Sequence, residues 1–191
     1  NDILIGNYAS DFADNNSLTN SGAVFFIQNI DALSGIKDLN ISSNYAAAWY
    51  GASLTDQLGF TATTSNGIDG GKTIQFVNID NGAYANDLVL TASVADINSK
   101  TDAGAVYLIK NFDSITGAKG LGSLDNFTAR WNGGSASDQL GNTAGSGDGV
   151  QIVNIDNGGY ANDLLLTAVN ADTNSLTDNG SVYLIKNIAY L

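Results

Sequence analysis

The sequence predicts an all-β fold of antiparallel four-stranded sheets, the blades of a propeller, repeated about two and a half times. Three observations predict it. All 19 acidic residues are Asp and none is Glu, so one of the best acidic helix formers is missing and the carboxylates belong in turns. Short apolar runs are bounded throughout by Asn, Asp, Gly and Ser, the pattern of strands joined by turns. Most of the chain is also written more than once.

The repeat sets the order of the elements. "NIDALSGIKDLNISSNYAAAWYG" (Asn29 to Gly51) aligns without a gap on "NFDSITGAKGLGSLDNFTARWNG" (Asn111 to Gly133). "DQLG" begins at Asp56 and again at Asp138, and "VNIDNGAYANDLVLTA" from Val77 returns as "VNIDNGGYANDLLLTA" from Val153. The loops "ADNNSLTNSG", "ADINSKTDAG" and "ADTNSLTDNG" end at Gly22, Gly104 and Gly180. Three units follow: a partial one over residues 1–55, a complete one over 56–137 and a partial one over 138–191.

In the complete unit the strands are "TIQFVNI", "DLVLTAS", "AVYLIKN" and "FTARWNG". The first unit enters at "DILIG" and lacks its first strand; the third stops after "SVYLIKN" and lacks its last. Val106, Tyr107, Leu108 and Ile109 should form a central strand, matched by Val24, Phe25, Phe26 and Ile27 and by Val182, Tyr183, Leu184 and Ile185. Because the second and third runs of a unit are apolar nearly throughout, they should lie between neighbouring sheets. A stack of this length leaves apolar faces at both ends. Further blades of a longer polypeptide, or other copies of the chain packed head to tail, are therefore expected as partners.

Composition removes much chemistry. The net charge of −12 disfavours nucleic acid and anionic membrane surfaces, and cations are the expected company. With no His and no Cys there is no Ser-His-Asp or Cys-His nucleophile, no ordinary zinc site and no disulfide. No apolar run reaches the length of a spanning helix, so no membrane insertion is expected. The chain opens on Asn1 and not on Met, which reads as a processed chain or a piece of a longer one.

"DQLG", a variable run, "NIDNGAYANDLVLTA" and "GAVYLIKN", in that order, resemble the FG-GAP repeat of integrin alpha-subunit β-propellers and bacterial surface proteins. Leu58-Gly59 and Leu140-Gly141 stand where that family has Phe-Gly, and Gly104 to Tyr107 and Gly180 to Tyr183 fit its later strand. The resemblance implies a calcium loop between the first two strands, with oxygen ligands at alternating positions and a closing Asp. Asn78, Asp80 and Asp87 would take the first, third and closing roles, repeated as Asn154, Asp156 and Asp163. This chain departs from the pattern by an Asn at the first position, Gly82 or Gly158 at the fifth, and one extra residue in the loop. Calcium takes six to eight oxygens, amide and backbone carbonyls included. The same Asp-Asn-Gly also makes a tight turn without metal, Gly82 and Gly158 supplying the positive φ.

Other candidates each have a structural counterpart. Asp96, Asn98 and Asp102, with Asp172, Asn174 and Asp178, could form a second oxygen cage, Asn20 weakening it in the first unit; equally they form Asx turns. Trp49 and Trp131 match in the repeat and could stack on a sugar, or pack within their sheets. Sequons stand at Asn15, Asn40 and Asn126, as expected by chance in a chain so rich in Asn, Ser and Thr. The acidic residues recur at turn positions, and catalytic residues would break such a symmetry. The expected function is a non-enzymatic extracellular or cell-surface module, adhesive or structural, that meets a protein or glycan ligand. The alternatives are a lectin-like propeller and an accessory domain of a secreted hydrolase, since Asp pairs alone can support glycoside hydrolysis.

Overall fold

The computed structural model describes residues 1–11, 18–60, 73–142, 148–156 and 158–191. Among them are eleven strands: β1 (Ile3–Asn7), β2 (Ala23–Ile27), β3 (Ala47–Tyr50), β4 (Ile74–Val77), β5 (Asp87–Ala92), β6 (Ala105–Ile109), β7 (Gly117–Gly120), β8 (Ala129–Asn132), β9 (Val150–Val153), β10 (Asp163–Ala168) and β11 (Ser181–Ile185). The helical content is a few 3-10 turns, and no helix of the described residues is long and apolar enough to cross a membrane. The protein is all-β.

Three sheets form, in the strand orders β1-β2-β3-β7, β4-β5-β6-β8 and β11-β10-β9. Every pairing is antiparallel except β3 with β7. Side chains alternate across each strand, so the register assigns the faces. Val24 opposes Trp49 and Phe26 opposes Ala47, and all four pack with Leu88, Leu90, Tyr107 and Ile109 of the second sheet. The other face of the second sheet, through Val89, Val106 and Leu108, packs with Leu164, Leu166 and Ile185 of the third. The sheets therefore stack face to face in series, and no closed barrel or ring forms among the described residues.

β7 is an addition to the ten strands the sequence predicts. It comes from the linking stretch that follows β6, and it crosses to the first sheet, where it runs parallel to β3. Gly117 N–H donates to the Ala46 carbonyl, Leu121 N–H donates to the Tyr50 carbonyl, and Leu121 is buried between the sheets. The physical reason is the edge of β3, whose backbone groups need partners. The matching stretch of the first unit, Gly35 to Asp38, forms no strand.

β2 and β6 are buried along their whole length, as expected of central strands. β11 departs from that expectation. It is a strand, but an edge one, with Val182, Tyr183 and Leu184 exposed. Its sequence matches β6, but among the described residues β10 pairs with it on one side only, and no strand lies on its other edge and no sheet against its outer face.

Candidate functional site

The recurrent corners between sheets are built from "DQLG". Leu58 N–H donates to the Ser21 carbonyl and Gly59 N–H to Thr91 of the next sheet; Leu140 N–H donates to Ala103 and Gly141 N–H to Thr167. Leu58 and Leu140 are buried between the sheets they join. Gly22 and Gly104 lie under these corners at φ +74° and +81°, where a Cβ would come within 2.3 and 2.4 Å of the Leu58 and Leu140 nitrogens. Glycine is required there twice over, by conformation and by space.

Asp56 starts the first corner. Its carboxylate accepts the Ser53 N–H at 2.8 Å and the Asp96 N–H at 3.3 Å. Burial pushes its carboxyl up to about 6, against the lowering effect of those amides. A carboxyl so raised is a candidate for acid-base work, but Asp56 is fully buried and its oxygens face backbone amides. Asp138, its counterpart, is buried too and accepts the Ser135 N–H at 2.8 Å.

The calcium-type residues separate into two groups. Asn78 Oδ1 and Asp80 Oδ1 both accept the Gly82 N–H, at 2.9 and 3.2 Å, while Asn78 Nδ2 donates to the Gly82 carbonyl at 2.8 Å. Asp80 Oδ1, the Tyr84 carbonyl and Asn78 Oδ1 lie 3.2, 3.7 and 3.8 Å from the place a Gly82 Cβ would occupy. In the third sheet Asp156 Oδ1 accepts the Gly158 N–H at 3.3 Å and Asn154 Nδ2 donates to the Gly158 carbonyl at 2.6 Å. The same three oxygens surround Gly158: Asp156 Oδ1 at 3.3 Å, with Asn154 Oδ1 and the Tyr160 carbonyl both at 3.9 Å. Lys186 Nζ stands 3.9 Å from Asp156 Oδ2. The positive φ in the first turn belongs to Asn81, at 62°, and not to Gly82.

Asp87 and Asp163 are occupied elsewhere. Both are buried. Asp87 accepts the Ile79 N–H at 3.0 Å and the Asn111 N–H at 3.1 Å; Asp163 accepts the Ile155 N–H at 3.0 Å and the Asn187 N–H at 2.9 Å. The Ile155 amide, then the Asn187 amide, and less so the charge of Lys186 hold the Asp163 carboxyl below the usual carboxylate range. In the first sheet, Asp2 accepts the Asn29 N–H at 2.9 Å. Asn29, Asn111 and Asn187 each stand in the left-handed region before a 3-10 turn. This Asp pins the turn that follows β2, β6 and β11, a role sequence reasoning missed.

The second set of acidic loops forms turns. Asp96 Oδ1 accepts the Asp102 N–H at 2.8 Å and Asp172 Oδ1 the Asp178 N–H at 2.7 Å. Asn98 and Ser99, like Asn174 and Ser175, have positive φ between the bridges Ile97–Lys100 and Thr173–Leu176, the geometry of a two-residue hairpin turn. In the first loop Asp11 accepts the Asn20 N–H at 2.8 Å. Asp11 thus does there what Asp96 does in the second. Among the described residues no group of three or more acidic side chains is close enough to hold a metal by carboxylates alone.

Trp49 is 0% exposed, its ring 6.3 Å from Phe112, and it can stack on no sugar. Trp131 is half-buried and lines a groove with Leu140, Leu166 and β11. Asn126 is half-buried with its amide donating to the Gly120 carbonyl at 2.8 Å, Asn40 is exposed, and Asn15 lies outside the described residues. No family model and no curated protein matches the chain.

Proposed function

We propose that the chain is a set of FG-GAP-like propeller blades, an extracellular or cell-surface module that is adhesive or structural and not an enzyme. One observation carries the reading. The turns after β4 and β9 hold an Asn side chain, an Asp side chain and a Tyr carbonyl around the same point in two successive sheets. Repetition of an oxygen set in successive sheets of a stack suits a surface that meets a ligand, or another surface, through hard cations.

The donor chemistry fits calcium. Asn78, Asp80 and the Tyr84 carbonyl would hold one ion; Asn154, Asp156 and the Tyr160 carbonyl would hold another. Bound there, calcium cross-links the turn to its strands. Asp87 and Asp163 would join it only by releasing the backbone amides they hold, so their part is to brace the loop. The remaining carboxylates described above serve backbone amides in the same repeating way, which suits a scaffold more than a reaction centre. The partner is a protein or a glycan surface, with no nucleic acid at this net charge.

Two measurements test the reading. Thermal unfolding in millimolar calcium should exceed that in excess chelator, and Asp80→Ala with Asp156→Ala should remove the difference. The beaded chain should be captured on protein- or glycan-coated surfaces in a calcium-dependent way. Hydrolysis of a glycoside by the isolated chain would overturn the non-enzymatic reading.

A further inference from the structure

Five Asn-Gly steps stand in the sequence, at Asn66, Asn81, Asn132, Asn157 and Asn179; Asn66 and Asn157 lie outside the described residues. Asn is chemically labile where the next backbone nitrogen can reach its side-chain carbonyl carbon, and Gly hinders that approach least because it has no Cβ. The fold decides which of the three remaining steps keeps this freedom.

Asn132 and Asn179 are held. Asn132 lies in β8 opposite Ala105, with its Oδ1 buried. Gly133 is buried too, its N–H donates to the Gly104 carbonyl at 3.0 Å, and a Cβ placed on it would collide with the Ala103 carbonyl, so the backbone has no room to swing. The Asn179 side chain accepts the Thr173 N–H at 2.9 Å and donates to Thr173 Oγ1 at 2.6 Å, while the Gly180 N–H donates to the Ala171 carbonyl at 3.0 Å. Asn81 differs on each count. It is exposed, as is Gly82, and its side chain makes no hydrogen bond among the described residues. The Gly82 N–H donates only to side-chain oxygens, Asn78 Oδ1 at 2.9 Å and Asp80 Oδ1 at 3.2 Å, and these can turn away without breaking a ladder between strands.

We propose that Asn81 is a site of intramolecular deamidation in the folded protein. The Gly82 nitrogen bonds to the Asn81 side-chain carbonyl carbon and gives its proton to water; the bond from that carbon to Nδ2 breaks and Nδ2 leaves as ammonia. Water then opens the resulting succinimide at one of its two carbonyls, giving Asp or isoaspartate. The net change is one water taken up and one ammonia released. Either product carries a carboxylate that Asn81 lacks, added to the turn that Asp80 already charges. The isoaspartyl product also lengthens the main chain by a methylene at the left-handed position of Asn81, φ 62°. The step needs only water and rests on the hydrogen bonds of the turn, not on the calcium or surface reading, so either can fail without the other.

The test incubates the whole chain at mildly alkaline pH and follows the amide-to-acid mass gain at each Asn by tandem mass spectrometry, with isoaspartate read by an isoaspartyl methyltransferase. In the folded chain Asn81 should convert roughly tenfold or more faster than Asn132 and Asn179, because those two must first open locally. In urea the three should converge, since each is then an unconstrained Asn-Gly step. Gly82→Ala, whose Cβ would stand 3.2 Å from Asp80 Oδ1 and needs only a small shift, should slow Asn81 roughly tenfold and leave Asn132 and Asn179 as they were. Conversion of Asn81 no faster than that of Asn132 and Asn179 in the folded chain would overturn the proposal. So would an undiminished rate in Gly82→Ala, because the Gly82 nitrogen would then not be the nucleophile.

Discussion

The buried carboxylate of Asp87 accepts the backbone N–H of Asn111, 24 residues further along the chain, at 3.1 Å. Its other oxygen accepts the Ile79 N–H. One side chain thus fastens the turn before β5 to the turn after β6. Asp87→Ala should strand the buried Ile79 amide together with the Asn111 amide and cost about 2–4 kcal/mol, while Asp80→Ala, whose one oxygen shares the Gly82 N–H with Asn78, should cost under about 1 kcal/mol without added calcium. Urea unfolding of the two variants checks this. Equal losses would mean that Asp87 is no brace.

Gly104 and Gly180 hold the same place in the repeat and both have positive φ, yet they should respond differently to a methyl group. At Gly104 the added Cβ would come within 2.6 Å of both the nitrogen and the carbonyl of Leu140; at Gly180 its nearest neighbour would be a carbonyl oxygen at 3.2 Å. Gly180→Ala should cost about 1–2 kcal/mol for the left-handed backbone. Gly104→Ala should cost several kcal/mol in addition, because the corner itself must move. Melting temperatures of the pair measure the difference, and similar values would contradict the packing at the Leu140 corner.

The strands were readable in the sequence because each alternates or runs apolar between turn residues, and because the repeat shows the same run in the same order. What the repeat hides is context. Gly117 to Gly120 and Gly35 to Asp38 are near copies with a left-handed glycine at the start of each, but only the former meets an open edge, that of β3, and becomes a strand. β11 copies β6 and is exposed for the converse reason, since burial belongs to the neighbour and not to the strand. The closing Asp was visible as a recurrent residue, but its partner, an amide in a distant turn, is set by the tertiary fold. Asp2 was the available signal: the opening "NDILIG" repeats the Asn-Asp pair of "NDLVL" and "NDLLL".

That contrast between β6 and β11 gives a third prediction. Leu108 is fully buried between the second and third sheets, and Leu184, its counterpart, is about half exposed. Leu108→Asp places a charge where nothing pairs it and should cost several kcal/mol. Leu184→Asp should cost under about 1 kcal/mol. Circular dichroism and urea melts at one pH separate them. A Leu184→Asp variant as damaged as Leu108→Asp would show that the outer face of the third sheet is covered in solution.

The last prediction concerns pH. Burial raises the Asp56 carboxyl from 3.8 to about 6, so the folded chain holds this proton more tightly than the unfolded chain does. Stability from Asp56 is therefore complete below about pH 3.8, falls as pH rises toward about 6, and stays at its lower level above that. Two pKa units correspond to a loss of about 3 kcal/mol. Asp163 acts in the opposite sense, because the Ile155 and Asn187 amides lower its carboxyl. Its contribution is present above the unfolded value and disappears only as pH falls through the lower folded one. Urea midpoints between pH 4 and 6 should then decline in the parent and stay flat in Asp56→Asn, whatever that variant loses by turning an amide NH₂ toward the Ser53 or Asp96 N–H. The difference in slope isolates Asp56 from every other carboxylate. Parallel slopes would mean that Asp56 stays ionised in the folded protein and that the corner between the first two sheets does not respond to pH in this range.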